Sequence, residues 1–266
     1  MKSYLPLILL AFVFACNQQE KSSDQSRDAE SEIRFKPENY SYREGRCDTT
    51  GTGQGVGVRA TYTLLDGDAP AVAPINDTLR KYLTSAVTSL LDSAEVAGNP
   101  EAQTDLNAAA RLFAASYRAF QKEFADAPMG GCWEVEVTGD TLFTSSRYLS
   151  FRMETYAYTG GAHPNTVTSL YTFDRQTGRP LRLHELVKDT TRLLPVVETY
   201  FRKQQGLTAT QNLEAEGYFL HEGKFFLPGN VAATRTGLLF YYNPYEIAAY
   251  ALGPIEFVVP YQEIKN

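Results

Sequence analysis

The sequence predicts an α+β protein, with mixed or antiparallel sheets carrying helices packed on one side. Two observations give that class. Two long segments of helical period follow one strand-like segment and precede several more, and a third helical segment is followed by further strands. No internal repeat interrupts that order.

The chain opens MKSYLPLILLAFVFAC, with Lys2 as a positive start, an apolar run from Leu5 to Phe14, and Ala15 as a small residue before Cys16. Residues 1–15 therefore read as a secretory signal, too short to span a bilayer as a helix. Val13-Phe14-Ala15-Cys16 resembles a lipobox, so Cys16 is expected to carry a lipid that anchors the mature chain to a membrane. No later segment approaches ~20 consecutive apolar residues. Residues 16–45 are expected to be the lipidated start and a disordered tether. Between Asn17 and Glu32 a single alanine is the only apolar residue, too little to support folding. With the whole span Asn17–Gly45 flexible, its reach is on the order of 30 Å.

The glycine-rich run Thr50–Val58 matches no phosphate-loop spacing and leads into a strand, where a phosphate cradle needs a helix N-terminus. That strand is Gly57–Leu65. In INDTLRKYLTSAVTSLLDSAE, Leu79, Leu83, Val87, Leu90 and Leu91 form one helical stripe, with Asn76 as its expected N-cap. In the next segment Leu106, Ala110, Phe113, Tyr117, Phe120 and Phe124 step by fours and threes. Asn99-Pro100 is its expected start, and Pro128 with Gly130-Gly131 its stop. An aromatic stripe at this spacing is a face that packs on a sheet.

Strands are expected at Cys132–Val137, Tyr148–Tyr158 and Thr166–Phe173. DRQTGRP is then a turn in which Gly178 takes positive φ. Thr190–Gln204 is the third helix, and strands follow at Lys224–Leu227, Gly237–Tyr242 and Ile255–Tyr261.

Removal of residues 1–15 takes away Lys2, leaving 24 Lys and Arg against 31 Asp and Glu, a net charge of −7. An acidic body without clustered Lys and Arg is a poor nucleic-acid binder, so no nucleic-acid partner is expected. It would attract a basic partner at modest range. With Cys16 acylated, Cys47 and Cys132 are left as a pair in an oxidising compartment, and a Cys47–Cys132 disulfide is expected.

Catalytic motifs are sparse. His163, His184 and His221 stand twenty or more residues apart, without the close spacing of metal ligands, so no metal or cofactor is expected. No G-x-S-x-G elbow is present. Thr172-Phe173-Asp174 resembles the aspartate motif of polysaccharide deacetylases, but Arg175 replaces the second carboxylate, which leaves Asp174 as a turn residue. Trp133 and the tyrosines could offer stacking faces to sugar rings, although most such rings belong to cores. The most distinctive stretch is Tyr158-Thr159-Gly160-Gly161-Ala162-His163-Pro164-Asn165. The glycines permit backbone angles that a Cβ forbids, and Pro164 holds His163 extended. His163 is expected to be a hydrogen-bonded corner residue; a ligand contact is the first alternative and a general base the lesser one.

Four stretches occur in an order that resembles a known family: Val58–Thr63 followed by Ile75-Asn76; Tyr158–Pro164; Phe173-Asp174 with Thr177-Gly178, Leu181 and Leu183; and Tyr245-Glu246-Ile247-Ala248-Ala249-Tyr250-Ala251-Leu252-Gly253 ending in Val259-Pro260-Tyr261. Over residues 56–264 the chain is similar to the extracytoplasmic module shared by the lysozyme-sensing anti-sigma factor RsiV and the non-catalytic N-terminal region of the peptidoglycan deacetylase PdaC. The resemblance implies two abutting α+β subdomains, here expected at residues 46–155 and 156–266. It marks Tyr158, Gly160, Gly161, His163, Pro164, Asn165, Tyr245, Glu246 and Tyr250 as ligand-binding or family-motif residues. Taken with the lipobox at Cys16, which stands where RsiV-like sensors have a membrane-spanning helix, it implies a lipid-anchored envelope binding protein rather than an enzyme. A lysozyme-like muramidase is the expected ligand, with peptidoglycan or another polysaccharide as the alternative and a hydrolase centred on His163 as the second alternative.

Overall fold

The computed structural model describes residues 32–47, 53–124 and 131–264. The signal segment, the lipobox with Cys16 and the polar run to Ser31 lie outside the described residues.

Five strands form the first sheet: β1 (Arg34–Arg46), β2 (Gln54–Asp66), β3 (Trp133–Thr144), β4 (Tyr148–Tyr158) and β5 (Asn165–Asp174), side by side in that order. All neighbours pair antiparallel except β2 and β3, which run parallel. A parallel pair needs a long crossover. It is supplied by α1 (Val72–Thr88), α2 (Ser93–Gly98), a 3₁₀ turn at Pro100–Gln103, and α3 (Leu106–Glu123). The expected stripes face the sheet. Ile75, Leu79, Leu83 and Val87 of α1, with Phe113 and Tyr117 of α3, bury against Val56 and Val58 of β2, Val135 and Val137 of β3, and Leu149, Phe151 and Met153 of β4.

Beyond β5 come α4 (Leu183–Leu186) and α5 (Thr190–Gln204), then a second, antiparallel sheet of β6 (Val231–Ala233), β7 (Gly237–Tyr242) and β8 (Ile255–Pro260), and α6 (Tyr261–Ile264). Phe201 of α5 anchors its core, with its ring centroid 5.1–6.2 Å from those of Tyr218, Phe225, Tyr242 and Phe257. A smaller cluster, Leu170 of β5 with Ala232, Leu239 and Tyr241, joins the two sheets.

The fold class and the disulfide are as the sequence predicts. Cys47 and Cys132 are bonded, with 5.5 Å between their Cα atoms. Gly178 has φ +72° and its α-hydrogen side faces Ala71 O so closely that a Cβ would lie 2.5 Å from it. Asp174 is a turn residue: its carboxylate accepts from the N–H groups of Gln176 and Thr177 and from the Thr177 hydroxyl.

Several expectations need correction. The tether does not extend to Gly45, because β1 takes up Arg34–Arg46. Tyr40 and Tyr42 alternate with charged or polar residues and lay their rings against the first core, which gives the segment the one apolar face a strand requires. A subdomain boundary at 155/156 would cut β4, since the first sheet continues to Asp174. Asn76 is not an N-cap but lies one turn inside α1, buried, with its amide accepting from Leu65 N–H and donating to Leu65 C=O, both at 2.8 Å. The second expected helix is α3, which starts at Leu106 with the Asp105 carboxylate capping Ala108 N–H, and Asn99-Pro100 begins only the short 3₁₀ turn. Lys224–Leu227 forms no strand; His221 and Lys224 make a single tight bridge.

Candidate functional site

Two connections bring the marked residues together. The β4–β5 loop carries Gly160 and Gly161 at φ +89° and +108°, with no neighbouring atom near either, so conformation alone requires glycine there. That double left-handed step returns the chain so that Tyr158 OH donates to Gly161 O at 3.1 Å. The β7–β8 connection carries Tyr245, Glu246 and Tyr250, the last in a 3₁₀ turn at Tyr250–Leu252.

His163 is exposed and lies flat on Tyr250, with ring centroids 4.0 Å apart and planes 20° apart. Its Nδ1 is 2.8 Å from Pro164 O, and Tyr250 OH donates to the same oxygen at 3.0 Å. A carbonyl can only accept, so Nδ1 carries the proton; Nε2 is then free to accept from Tyr245 OH, 3.3 Å away. Both ring nitrogens are engaged. The expected hydrogen-bonded corner is present, although the ring lies at the surface rather than sealed between strands.

Tyr245 is the residue for which sequence reasoning had no conformational signal. Its φ is +67°, in the left-handed region that a bulky side chain avoids, and its residue is 56% exposed. Holding a tyrosine there costs roughly 1–3 kcal/mol. The strain presents the ring to solvent beside Tyr250, with centroids 5.5 Å apart. Leu252, 52% exposed, closes the same 3₁₀ turn. Phe219, 46% exposed, lies on the segment next to this connection, its N–H donating to Ile247 O at 2.7 Å.

Glu246 faces the other way. Its carboxylate accepts from Asn243 N–H at 2.9 Å and closes the turn that starts the connection. Burial pushes its pKa up, and the Asn243 hydrogen bond opposes that shift. Asn165 begins β5 opposite Ala157. The site is therefore an aromatic surface with one imidazole and no carboxylate aimed outward from its own motif.

The other candidates do not join it. Trp133 offers no stacking face, because Phe113, Tyr117 and Phe120 surround its ring with centroids 5.3–5.5 Å away. Among the described residues, no group of three or more His, Cys, Asp or Glu side chains could hold a metal ion. Nor is any described helix long and apolar enough to cross a membrane.

Two family models match the chain in succession: "Deacetylase PdaC" over residues 62–166 and "Protein of unknown function (DUF3298)" over residues 184–262. In fold, the chain is similar to the crystal structure of a DUF3298 family member from Bacteroides fragilis (TM-score 0.59, 21% identity, 89% of this chain and 93% of that one). It is similar also to a DUF3298 family protein from Pseudomonas aeruginosa (TM-score 0.55, 15% identity, 88% and 93%). In sequence it is 28% identical over 122 residues to the immunogenic protein MPT64 of Mycobacterium tuberculosis and to MPB64 of Mycobacterium bovis. That match takes in 43% of this chain, and the chain spans about half the length of those relatives, 49%. The PdaC match ends at Thr166, just past the glycine-histidine loop, and the DUF3298 match takes in Tyr245 and Tyr250, so the aromatic cluster is built where the two matched parts meet. The chain carries an RsiV/PdaC-like module of the envelope-associated kind.

Proposed function

We propose that this chain is a lipid-anchored envelope binding protein, tethered through Cys16, whose His163–Tyr245–Tyr250 surface recognises a lysozyme-like muramidase. The observation that carries the reading is Tyr245, an exposed ring held at positive φ beside two further stacked rings. Strain of that kind persists where the surrounding structure enforces it, and it concentrates at ligand-binding positions. Tyrosine and other rigid aromatics are the side chains that dominate protein–protein recognition. Basic muramidases also suit the net negative charge of the chain, although at ~0.15 M salt that attraction acts over only about 8 Å.

Titration calorimetry of the soluble body against a c-type lysozyme is the direct test. Saturable binding is expected, with Tyr245→Ala abolishing it at unchanged melting temperature; the absence of heat at micromolar concentrations in low salt would remove this reading. The exposed Tyr245 face also favours a glycan as second candidate, since a flat ring open to solvent can stack on a sugar. Co-sedimentation with purified sacculi separates the two. A hydrolase centred on His163 has less support, because Nδ1 is held by Pro164 O and the group facing Nε2 is the Tyr245 hydroxyl rather than a serine, threonine or cysteine nucleophile. The anchor has its own test: Cys16→Ser should move the protein from the membrane fraction to the soluble one.

A further inference from the structure

At the opposite end of β4 from the aromatic cluster lies a cavity of about 610 Å³. Three hairpins or linkers build its rim. The β3–β4 turn contributes Arg147, and its backbone is fixed: Ser145 Oγ accepts from the N–H groups of Arg147 and Tyr148, and Arg175 N–H donates to Arg147 O. The β6–β7 turn contributes Arg235, between Thr234 and Gly237, which are joined by two hydrogen bonds of 2.8 and 2.9 Å. The α4–α5 linker contributes Lys188.

Phe143, Tyr148 and Tyr261 supply apolar and aromatic walls. Tyr261 is locked by its hydroxyl, which donates to Thr234 O at 3.0 Å, so the wall and the Arg235 turn are one unit. The lining carboxylate, Asp189, is already committed: its Oδ1 caps α5 by accepting from Thr191 and Arg192 N–H at 3.0 and 3.2 Å. Among the described residues, none of the three cations has a carboxylate within 4.0 Å. Arg147 instead lies 5.0 Å from the centroid of Tyr148. On a chain of net charge −6, three uncommitted cations around one cavity are a local reversal of sign.

We propose that this cavity binds a small organic anion with an apolar body, its charged head on Arg147, Lys188 and Arg235 and its body against Phe143, Tyr148 and Tyr261. The volume lies in the range of about 300–1,000 Å³ that small-molecule sites occupy, and a few convergent polar groups on mostly apolar walls are the usual composition of such sites. Two of the cations stand on hydrogen-bonded turns and the third beside the Asp189 cap of α5, so the backbone positions from which all three reach the cavity are set. The site is separate from the aromatic surface, and neither proposal depends on the other.

The test uses a matched pair of dyes, 1-anilinonaphthalene-8-sulfonate and its uncharged analogue N-phenyl-1-naphthylamine, titrated by fluorescence against the folded chain. The anion should saturate one site and bind about tenfold more tightly than the neutral dye, as three solvent-facing charge contacts acting together would give. Raising NaCl from about 0.05 to about 0.5 M should erase that difference. Arg147→Gln, Lys188→Gln and Arg235→Gln combined should lose the preference for the anion and keep the binding of the neutral dye. Arg235→Gln alone, at an exposed turn position, serves where the triple variant melts early and should lose part of the preference. Arg80→Gln and Tyr245→Ala should change neither dye. Equal binding of the two dyes, a folded triple variant that still prefers the anion, or loss of anion binding on Tyr245→Ala would overturn the proposal.

Discussion

Asn243 grips Thr168 from both sides of one peptide position: its Oδ1 accepts from Thr168 N–H at 2.7 Å and its Nδ2 donates to Thr168 C=O at 3.0 Å. Asn230 does nearly the same one step along β5, accepting from Leu170 N–H at 2.6 Å and donating to Thr168 C=O at 2.7 Å. Two side-chain amides thus stand where a sixth strand would pair with β5, and through them the second sheet is fastened to the first. Replacing either by Ala leaves a β5 N–H without its partner, so each change should cost about 1–3 kcal/mol. Because both donate to the same carbonyl, the double variant should cost less or more than the sum of the singles, by 0.5 kcal/mol or above. Urea denaturation of the four species decides it; strict additivity would mean that the two amides act separately.

The Cys47–Cys132 bridge closes a loop across 85 positions of sequence that contains β2 and all three helices of the crossover. Cys47→Ala with Cys132→Ala should lower stability by about 2–5 kcal/mol. The same loss should appear when the native protein melts in a reductant, and the two effects should not add.

Glu246 makes stability depend on pH in a defined direction. Burial raises its native pKa, so the charged form is disfavoured in the folded state. Its contribution is fully present below the ordinary glutamate value of about 4.3 and is lost as the pH rises through the higher native value. Glu246→Gln, whose amide oxygen can still accept from Asn243 N–H, should flatten the melting profile across that window. A steeper fall with pH in the variant would contradict the assignment.

His163→Ala should cost under about 1 kcal/mol, because an exposed ring loses one stacking contact and its hydrogen bonds are replaced by water. Tyr250→Ala should cost somewhat more, since it removes both the stacking partner of His163 and the donor to Pro164 O. Thermal melts of the two variants rank them; a loss above about 2 kcal/mol for His163→Ala would mean that the imidazole holds the loop rather than lying on it.

Gly139 pairs with Met153 across β3 and β4, and a Cβ there would lie 2.4 Å from Met153 Sδ. Gly139→Ala should destabilise by about 1–3 kcal/mol through overpacking. Met153→Ala in the same chain should recover part of that loss by vacating the space, which a double-mutant cycle would register.

The elements with strong periodicity were legible. Tyr148–Tyr158 and Thr190–Gln204 occupy the residues their patterns indicate, and the stripe of Leu79, Leu83 and Val87 faces the core. What the pattern could not convey was the use of polar side chains over distance. Asn76 has the composition of an N-cap, but its partner is the end of β2, eleven residues away, and no local signal marks that. β1 was hidden because an edge strand with Arg34, Lys36, Glu38, Arg43 and Glu44 has the charge content of a tether; charges of this kind guard an open edge against pairing with other chains. In the site, the glycine pair was legible from turn chemistry alone, while the positive φ of Tyr245 was not, since nothing in residue type favours it there. The cavity at Arg147, Lys188 and Arg235 draws on three turns more than forty residues apart, and only the packing of the two sheets brings them together.

The disulfide also decides how the body responds to a pull on its N-terminal end. Tension at Arg34 peels β1 from β2 one pair at a time, starting at Asp66, and releases at most the 13 residues of that strand, about 45 Å of chain. At Cys47 the load then crosses the sulfur bridge into Cys132 and the head of β3, in the middle of the sheet, without passing through β2 or the helices. With the bridge reduced, the same pull would reel out the crossover. The oxidised body is therefore a mechanical fuse of fixed length, able to give way by one strand while both aromatic loops keep their shape.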